Sequence, residues 1–542
     1  MKGRERFVKI VFFLFMIVPA AWSSAAFGAP LTLRVPAPYP TVQAAIEAAH
    51  EGDTILVADG IYSVPVNEGL VVAKPIRILH EGDPKDCIID CEGNGRAFTF
   101  VSGATSATLL SGFTIIGGNV AGIQPQDTQH NSGGGILCEG GATPTIENCI
   151  IGFISEEDIP YGNSAKYGGG IACISSSPVI SSCRIEGNNA ANVGGGLYIV
   201  DSSPKIMGST ISDNEAGTWG GAVYIVTSQA SASVPSRPSI ASCMITGNAA
   251  NTNGGAVYCT GSSPLITNTT VADNRAGGSG GGLYVKGNSN PIVANAIFWG
   301  NSAPASPEIY VNPVSTLNIN YSIVKGEEAA ALKMSAGAPP LDNTIQNVDP
   351  GFVDPAAGDY HLRPDSPCRD AGTKEGVTLP EYDIDGDLRS SGSNPDIGAD
   401  EIRYQVVIDV RPGSHRERID LKAWGFLPVA VLSTEDFDAT SIDPKTVEFA
   451  GAKPKHALRT HVNRDRRADM LFFFWIRDLD LGVDEDSTAA TMTTEVALFA
   501  DSAKKGSIVG TDTVTIINPK HKRHWWSRFE EFLHRKAQGH FK

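Results

Sequence analysis

The stretch from Gly194 to Trp219, GGGLYIVDSSPKIMGSTISDNEAGTW, decides the fold. A glycine triplet leads into a short alternating apolar run, a Ser-Ser-Pro turn follows, and two further short apolar runs close on Asn214. The same order recurs from glycine clusters at Gly133, Gly168, Gly194, Gly220, Gly254 and Gly280, spaced by 35, 26, 26, 34 and 26 residues. The period is therefore 26, and two coils carry polar insertions, around Ser155 to Pro160 and around Thr227 to Val234. Runs this short and this rich in β-branched residues read as strands, not helices. Three strands in one such unit have no core of their own. The units must stack, each strand pairing with the coil above and the coil below, as in a parallel β-helix.

Aligning the coils assigns the faces. After the glycines the inward positions are Ile136 and Cys138, Ile171 and Cys173, Leu197 and Ile199, Val223 and Ile225, Val257 and Cys259, then Leu283 and Val285. After the proline turn the inward column is Ile146, Ile180, Ile206, Ile240, Ile266 and Val293. Alternation at period two makes both columns core. A column of small residues, Cys149, Cys183, Ser209, Cys243, Thr269 and Ala296, suits a tight interior corner. Each coil closes on an asparagine: Asn163, Asn188, Asn214, Asn248, Asn274 and Asn301. Asparagine tolerates a left-handed bend, and its amide can donate to one neighbour while accepting from the next, so these residues are expected to form a structural ladder.

These residues carry a resemblance. The pattern looks like the right-handed parallel β-helix of the pectin-lyase type. The GGAV runs at Gly220 and Gly254, with Ile211 to Asn214, Val271 to Asn274 and Phe298 to Asn301, are similar to polymorphic outer-membrane protein repeats. The opening TVQAAIEAAHEGDTILVADGIY, Thr41 to Tyr62, is similar to the usual entry into this fold. In it Val42, Ala45, Ile46 and Ala49 line one face of a short helix that would cap the open end of the core. The resemblance covers residues from about 35 to 325. It implies a fold that hosts lyases, hydrolases, esterases and non-catalytic adhesins alike.

Composition narrows the classes further. The chain has 542 residues and a formal net charge of −16, with 42% hydrophobic and 19% charged residues, a balance that excludes a disordered chain. The acidic balance also argues against a nucleic-acid partner, since phosphate binding needs a basic field. Lys2, Arg4, Arg6 and Lys9 precede an apolar run from Ile10 to Ala21, with small residues near Ala26 and Gly28, the grammar of a secretory signal peptide over residues 1–28. The mature chain is then expected to be extracellular or on the cell surface, with no transmembrane segment. The nine cysteines include no zinc-type spacing, and most sit at repeat positions that want a small apolar side chain; a bridge between Cys149 and Cys183 is left open.

The expected organisation is all-β: signal peptide 1–28, β-helix 29–325 with its helical cap, an end segment 326–404, a β-sandwich 405–519 and a basic tail 520–542. VDPGFVDPAAGDYHLRPDSPCRDAGT from Val348, with YDIDGDLRSSGSNPDIGADE ending at Glu401, resembles the choice-of-anchor Q segment of bacterial surface β-helices, which would cover the far end of the rod. Runs such as YQVVIDV, FLPVAVLS and MLFFFWI, separated by Pro, Gly and Asp turns, indicate the sandwich. It resembles a module at the ends of secreted bacterial proteins whose relatives carry an Asp-rich loop. Here Arg464, Arg466 and Arg467 interrupt that loop, against calcium there. In the tail Trp525, Phe529, Phe532 and Leu533 share one helical face, which fits an interfacial helix, a docking helix or an ordinary solvated tail.

Candidate sites are few. The outward wall after the proline turn holds one acid, Glu147, without a stacked partner. The best carboxylate pair is Asp213 with Asp273, two coils apart, which also reads as two turn aspartates. Tyr198, Tyr224, Tyr258 and Tyr284 form an outward column on four consecutive coils. It is either a platform for sugar rings or cross-strand stacking that stabilises the sheet. Asp383, Asp385 and Asp387, with Asp396, Asp400 and Glu401 nearby, offer oxygen ligands for a structural calcium, although a calcium loop with its closing Glu is not in register. Three functions follow in order: non-catalytic binding of a polysaccharide or cell-envelope surface, a polysaccharide lyase or glycoside hydrolase, and a structural envelope spacer. Oligomeric state is not legible.

Overall fold

The computed structural model describes residues 29–64, 69–121, 131–152, 162–228, 235–326, 332–333, 345–387, 389, 394–414, 418–420, 423–434, 437–463, 465–479, 491–502 and 506–517. The expected leader 1–28, the tail 520–542 and nearly all of both insertions lie outside the described residues.

The coil that begins at Gly194 shows how the repeat folds. Leu197–Val200, Lys205–Met207 and Thr210–Ser212 are its three strands, each paired in parallel with its counterparts in the neighbouring coils. Ile199 is in register with Cys173 and Ile225, Ile206 with Ile180 and Ile240, and Ile211 with Ile185 and Ile245. Repeated along the chain, these pairings build a glycine-side sheet of ten strands and proline-side and asparagine-side sheets of eleven each. The inward columns expected from the alternation are all fully buried. Each Ile or Leu buried in this way contributes roughly 2 kcal/mol. Strands at Leu332–Lys333 and Ile345–Gln346 extend the glycine-side and asparagine-side sheets, so the rod continues past residue 325.

A fourth sheet was not expected. Between the asparagine and the next glycine triplet, Ser164–Tyr167, Asn189–Val193, Glu215–Ala216, Ala249–Ala250 and Arg275–Ala276 pair in parallel. The chain then bends sharply back. Gly194 takes φ +69°, where a Cβ would collide with the Leu197 carbonyl, and a Cβ on Gly195 would collide with the carbonyls of Glu215 and Gly221. The triplet is glycine because two backbones meet there.

Three polar ladders run inside the rod. In the asparagine ladder, Asn188 Nδ2 donates to Asn214 Oδ1 at 2.9 Å and to the Ile151 carbonyl at 2.8 Å, while Asn188 N also donates to Asn214 Oδ1 at 3.0 Å. The pattern repeats at Asn163, Asn214, Asn248 and Asn274. Asn301 ends it by donating to buried Glu308 at 2.6 Å, whose carboxyl burial pushes up to about 7. At the proline turn Ser202 Oγ accepts from Ser176 N at 3.0 Å, and Ser236, Ser289 and Ser315 continue the series. In the small-residue column, Ser209 Oγ accepts from Cys183 N at 3.1 Å. All nine cysteines are buried and free, so Cys149 and Cys183 are not bridged.

The N-terminal helix is present at Val42–Ala48, capped by Thr41 Oγ1 accepting from Ala44 N at 3.1 Å, with Val42, Ala45 and Ile46 against the first coils. The segment expected to cover the far end of the rod lies elsewhere. From Phe352 to Ala399 it packs along the flank, where Phe352, Tyr360, Leu362, Cys368 and Ile397 meet Met244, Ala272 and Ile297 on the outer face of the asparagine-side sheet. Asn268 Nδ2 donates to the Asp396 carbonyl at 3.1 Å and Asn295 Nδ2 to the Thr373 carbonyl at 3.0 Å. The reason is the outward side chains: this patch is apolar and buried only when something covers it.

The C-terminal region has two sheets over one core. Val407–Val410, Phe426–Leu432, Asp469–Trp475 and His456–Thr460 form an antiparallel sheet in that order. The other is built on the hairpin Thr491–Ser502 and Gly506–Ile517, with Glu448–Phe449 antiparallel to it and Tyr404–Gln405 and Arg418–Asp420 parallel. Phe449 and Phe474 meet across the core at 5.3 Å. In the arginine-interrupted loop Asp469 is fully buried, accepting from Ser433 N at 2.9 Å and Val462 N at 2.7 Å, a structural use of that acid.

Substituting Asn214→Ala strands two donors on Asn188 and the Ile185 carbonyl, each costing about 1–3 kcal/mol when buried without a partner. The expected result is a clear fall in melting temperature, read by differential scanning calorimetry, against almost no change for Asn251→Ala at an exposed turn.

Candidate functional site

The tyrosine column exists in register, and it is not an open platform. Tyr198 pairs with Tyr224, Tyr224 with Tyr258 and Tyr258 with Tyr284, and Tyr310 extends the column by one coil. The rings stack at 5.8, 5.1, 5.0 and 4.6 Å between centroids. Tyr258 is only 1% exposed, however, and Tyr198 and Tyr224 are 9%. The fourth sheet is the cause: it brings Trp219 back over the column, 5.4 Å from Tyr258 and nearly parallel to it, and Tyr167 onto Tyr198 at 5.2 Å. Lys286 Nζ sits 5.4 Å above the indole of Trp219. Burial raises the hydroxyl pKa of Tyr198, Tyr224 and Tyr258. Over Tyr198, Tyr224 and Tyr258 the stack is a packed outer layer of the rod, while Tyr284 and Tyr310 are half-buried at its end.

The acidic segment forms a knot with different partners from those expected. Asp383, Asp385 and Asp400 each point one oxygen to a common place, within 4.8 Å of one another, whereas Asp387 turns away and forms an ion pair with Arg403. Asp400 therefore replaces Asp387 in the cluster. Asp383 accepts from the backbone N–H of Asp385 at 2.9 Å, Asp387 at 2.6 Å and Glu401 at 2.9 Å. Asp400 accepts from Leu362 N at 2.6 Å. His361 donates on one side to Asp359 at 2.6 Å and on the other to Asp385 at 3.2 Å. Arg389, fully buried, contacts Glu401 and the carbonyls of Gly398, Ala399 and Asp400. Calcium takes six to eight oxygens at about 2.3–2.6 Å. Asp383, Asp385 and Asp400 could supply three of these, and in this structure the positive charge beside them comes from His361, Arg389 and Arg403.

Burial pushes Asp383 up to about 6 and raises Asp396 and Glu401. The hydrogen bond to Asp385, with Asp359 on the other side, pushes His361 up to about 10.

Asp213 and Asp273 are turn residues at φ +55° and +54°, each bent over the glycine of the following coil, Gly247 and Gly300. Asp273 also accepts from the Tyr360 hydroxyl at 2.7 Å, which ties the flank segment to the rod. Beside Asp213, on the preceding coil, the sequence reading missed Glu186. It is 4% exposed, paired with Arg184 at 2.8 Å and raised in pKa by burial, with Oε1 unpartnered. A lone acid at the end of a strand gives no sequence signal of burial.

A cavity of about 490 Å³ was missed as well. Arg34, Val35, Leu56, Asp59, His80 and Glu81 line it, drawn from three successive coils near the N-terminal end. His80 is fixed there between the Gly112 carbonyl at 3.1 Å and Asp59 at 3.0 Å. Residues this far apart in the chain share no local motif.

Two outcomes follow from these packed groups. Tyr224→Ala opens a hole in the aromatic layer at a cost of about 3–5 kcal/mol, lowering the melting temperature without changing retention on any polysaccharide. For the knot, a His raised in the fold stabilises below its unfolded pKa of about 6.5 and loses that contribution as pH rises through about 10. Hydrogen exchange at 359–401, corrected for intrinsic rates, should therefore show protection falling between pH 6 and pH 10, with a flatter profile in His361→Gln.

Comparisons with known proteins agree with the coil architecture. Residues 87–248 and 219–360 match the family model of the right handed beta helix region. No curated protein matches the chain. Among solved structures, ORF18 of Geobacillus virus E2 is similar at 13% identity over 88% of this chain and 73% of that one, with a TM-score of 0.25, too low to carry an argument. Among the described residues no helix is long and apolar enough to cross a membrane. With parallel coils stacked from Thr32 to Gln346 and the family match spanning about half of its length, the chain belongs to the right-handed β-helix family.

Proposed function

We propose that this is an exported, surface-associated β-helix that binds a carbohydrate or other envelope polymer without cleaving it, the coils acting as support. The observation that carries this reading is the use made of the stacked carboxylates. Asp213 and Asp273 are spent as turn residues, and Asp273 is held by Tyr360. A glycosidase needs two carboxyl groups facing one bond, one of them protonated. The charged N-terminal stretch before Ile10 supports export, and the likeness of Val348 to Glu401 to choice-of-anchor Q segments supports attachment at a surface.

One observation favours the enzyme reading. Glu186, buried and raised in pKa, lies on the coil next to that of exposed Asp213, and its own free oxygen is unpartnered. An acid of raised pKa beside a second carboxyl group is the pairing that general acid catalysis uses.

The test is incubation of the chain with a panel of acidic and neutral polysaccharides, following both co-sedimentation and new reducing or unsaturated ends. Retention with no new ends is expected. New ends that vanish in both Glu186→Gln and Asp213→Asn would make the second reading the right one, and neither signal would leave the structural spacer.

A further inference from the structure

The antiparallel sheet of the C-terminal sandwich is apolar on both faces. Its inner side chains, Val410, Val429, Val431, Phe472 and Phe474, are fully buried in the sandwich core. A sheet covered on one side only should alternate apolar with polar. Here the outward positions of the two central strands read Phe426, Pro428, Ala430 and Leu432 beside Leu471, Phe473 and Trp475. Exposure rises toward one end, where Phe426 is 37% exposed and Trp424, just before the strand, is 79%. Phe426 lies 4.4 Å from Trp475, 5.4 Å from the ring of His456 and 6.4 Å from Phe473. An exposed aromatic cluster of this kind marks a contact surface.

Charge around the cluster selects the partner. Arg477 lies over the Trp475 ring at 5.0 Å. Lys455 and Arg477 share a single carboxylate, Asp478, at 3.1 and 3.4 Å, leaving one positive charge in excess. Arg466 and Arg467 belong to the turn between Thr460 and Asp469, at the far end of these strands from Trp475, so the local excess is the one charge of Lys455 and Arg477 over Asp478, in a chain whose net charge is −16. A second copy would set the unmatched charge at Arg477 against its own counterpart. A partner that is apolar on one side and anionic at its edge suits both features: a pyranose ring presents C–H groups to an aromatic face, and a carboxylate on the sugar meets arginine or lysine.

We propose that this sheet face, centred on Phe426, Trp475 and Arg477, binds an anionic polysaccharide of the uronic-acid class. The inference deepens the polymer-binding reading and rests on it, adding the location and the charge of the ligand. The aromatic rings supply contact area and the basic rim supplies the choice of polymer, so binding weakens as salt screens the rim.

The experiment is affinity electrophoresis of the full chain in native gels containing polygalacturonate, alginate or neutral glucomannan, with Trp475→Ala, Arg477→Gln and the double variant alongside. Melting temperature serves as the fold control, and Arg477→Gln, at an exposed position, keeps the fold. The wild type should be retarded by the acidic polymers alone, less so in 0.5 M NaCl, and the double variant should lose at least tenfold in affinity. Retardation that persists in folded variants would overturn the location while leaving the polymer-binding reading intact. Retardation by glucomannan alone would overturn the anionic class, and no retardation at all would overturn the polymer-binding reading with it. A wild type that sediments as a dimer, and a Phe426→Ser variant that does not, would assign the face to self-association and overturn the proposal.

Discussion

The rod depends on a buried hydrogen-bond chain that each coil must pass on intact. At its sharpest turn the backbone leaves polar groups inside the core, where an unmet donor or acceptor costs about as much as a whole buried methyl contact or more. Asparagine solves this with one residue, because its amide reaches a carbonyl of one coil and the amide oxygen of the next. A residue with a donor alone or an acceptor alone would break the chain at that coil. The terminal partner is instructive: Glu308, raised to about 7 by burial, stands where no further asparagine follows and accepts from Asn301. An acceptor is all that position needs.

Register turns a sequence repeat into a physical one. Strands paired in parallel with no offset put equivalent side chains one coil apart, so any residue type repeated at the period becomes a stack. For isoleucine the result is a core column, and for tyrosine it is a row of rings about 5 Å apart. Whether such a row faces solvent is decided elsewhere, by what the intervening turn does. Here the turn returns as a fourth sheet and lays Trp219 across the rings. The same logic explains the flank. Met244, Ala272 and Ile297 form an apolar stripe on the outside of the asparagine-side sheet, and the chain after the rod folds back to bury it.

What was legible in the sequence was whatever repeated. The inward columns, the asparagine ladder and the glycine triplets could be placed residue by residue because six aligned coils give the same answer. The serine series was visible as a Ser-Ser-Pro turn, though its role as a second ladder appears only when Ser202 Oγ is seen beneath Ser176 N. The fourth sheet was not legible, since strands as short as Glu215–Ala216 have no periodicity to read. Nor was the flank, whose contacts join residues as far apart as Ser242 and Arg389. In the acidic segment, spacing identified the carboxylates but could not show that Arg403 takes Asp387 out of the group and that Asp400 replaces it.

The two β regions treat exposed aromatic residues in opposite ways, and that contrast bears on function. In the rod, Tyr198, Tyr224 and Tyr258 stand on an outer face and are covered by the chain itself, so their burial strengthens the stack, while Tyr284 and Tyr310 at its end are partly buried. In the sandwich, Phe426 stands on an outer face and is exposed, with His456 at the start of an edge strand exposed along nearly its whole length. Such an edge and such a face both invite association, and basic residues along them discourage self-pairing. The chain covers one aromatic row with its own tryptophan and leaves the other beside an unmatched positive charge. On the proposed reading, the rod then supplies rigidity and recognition falls to the surface that the fold does not close.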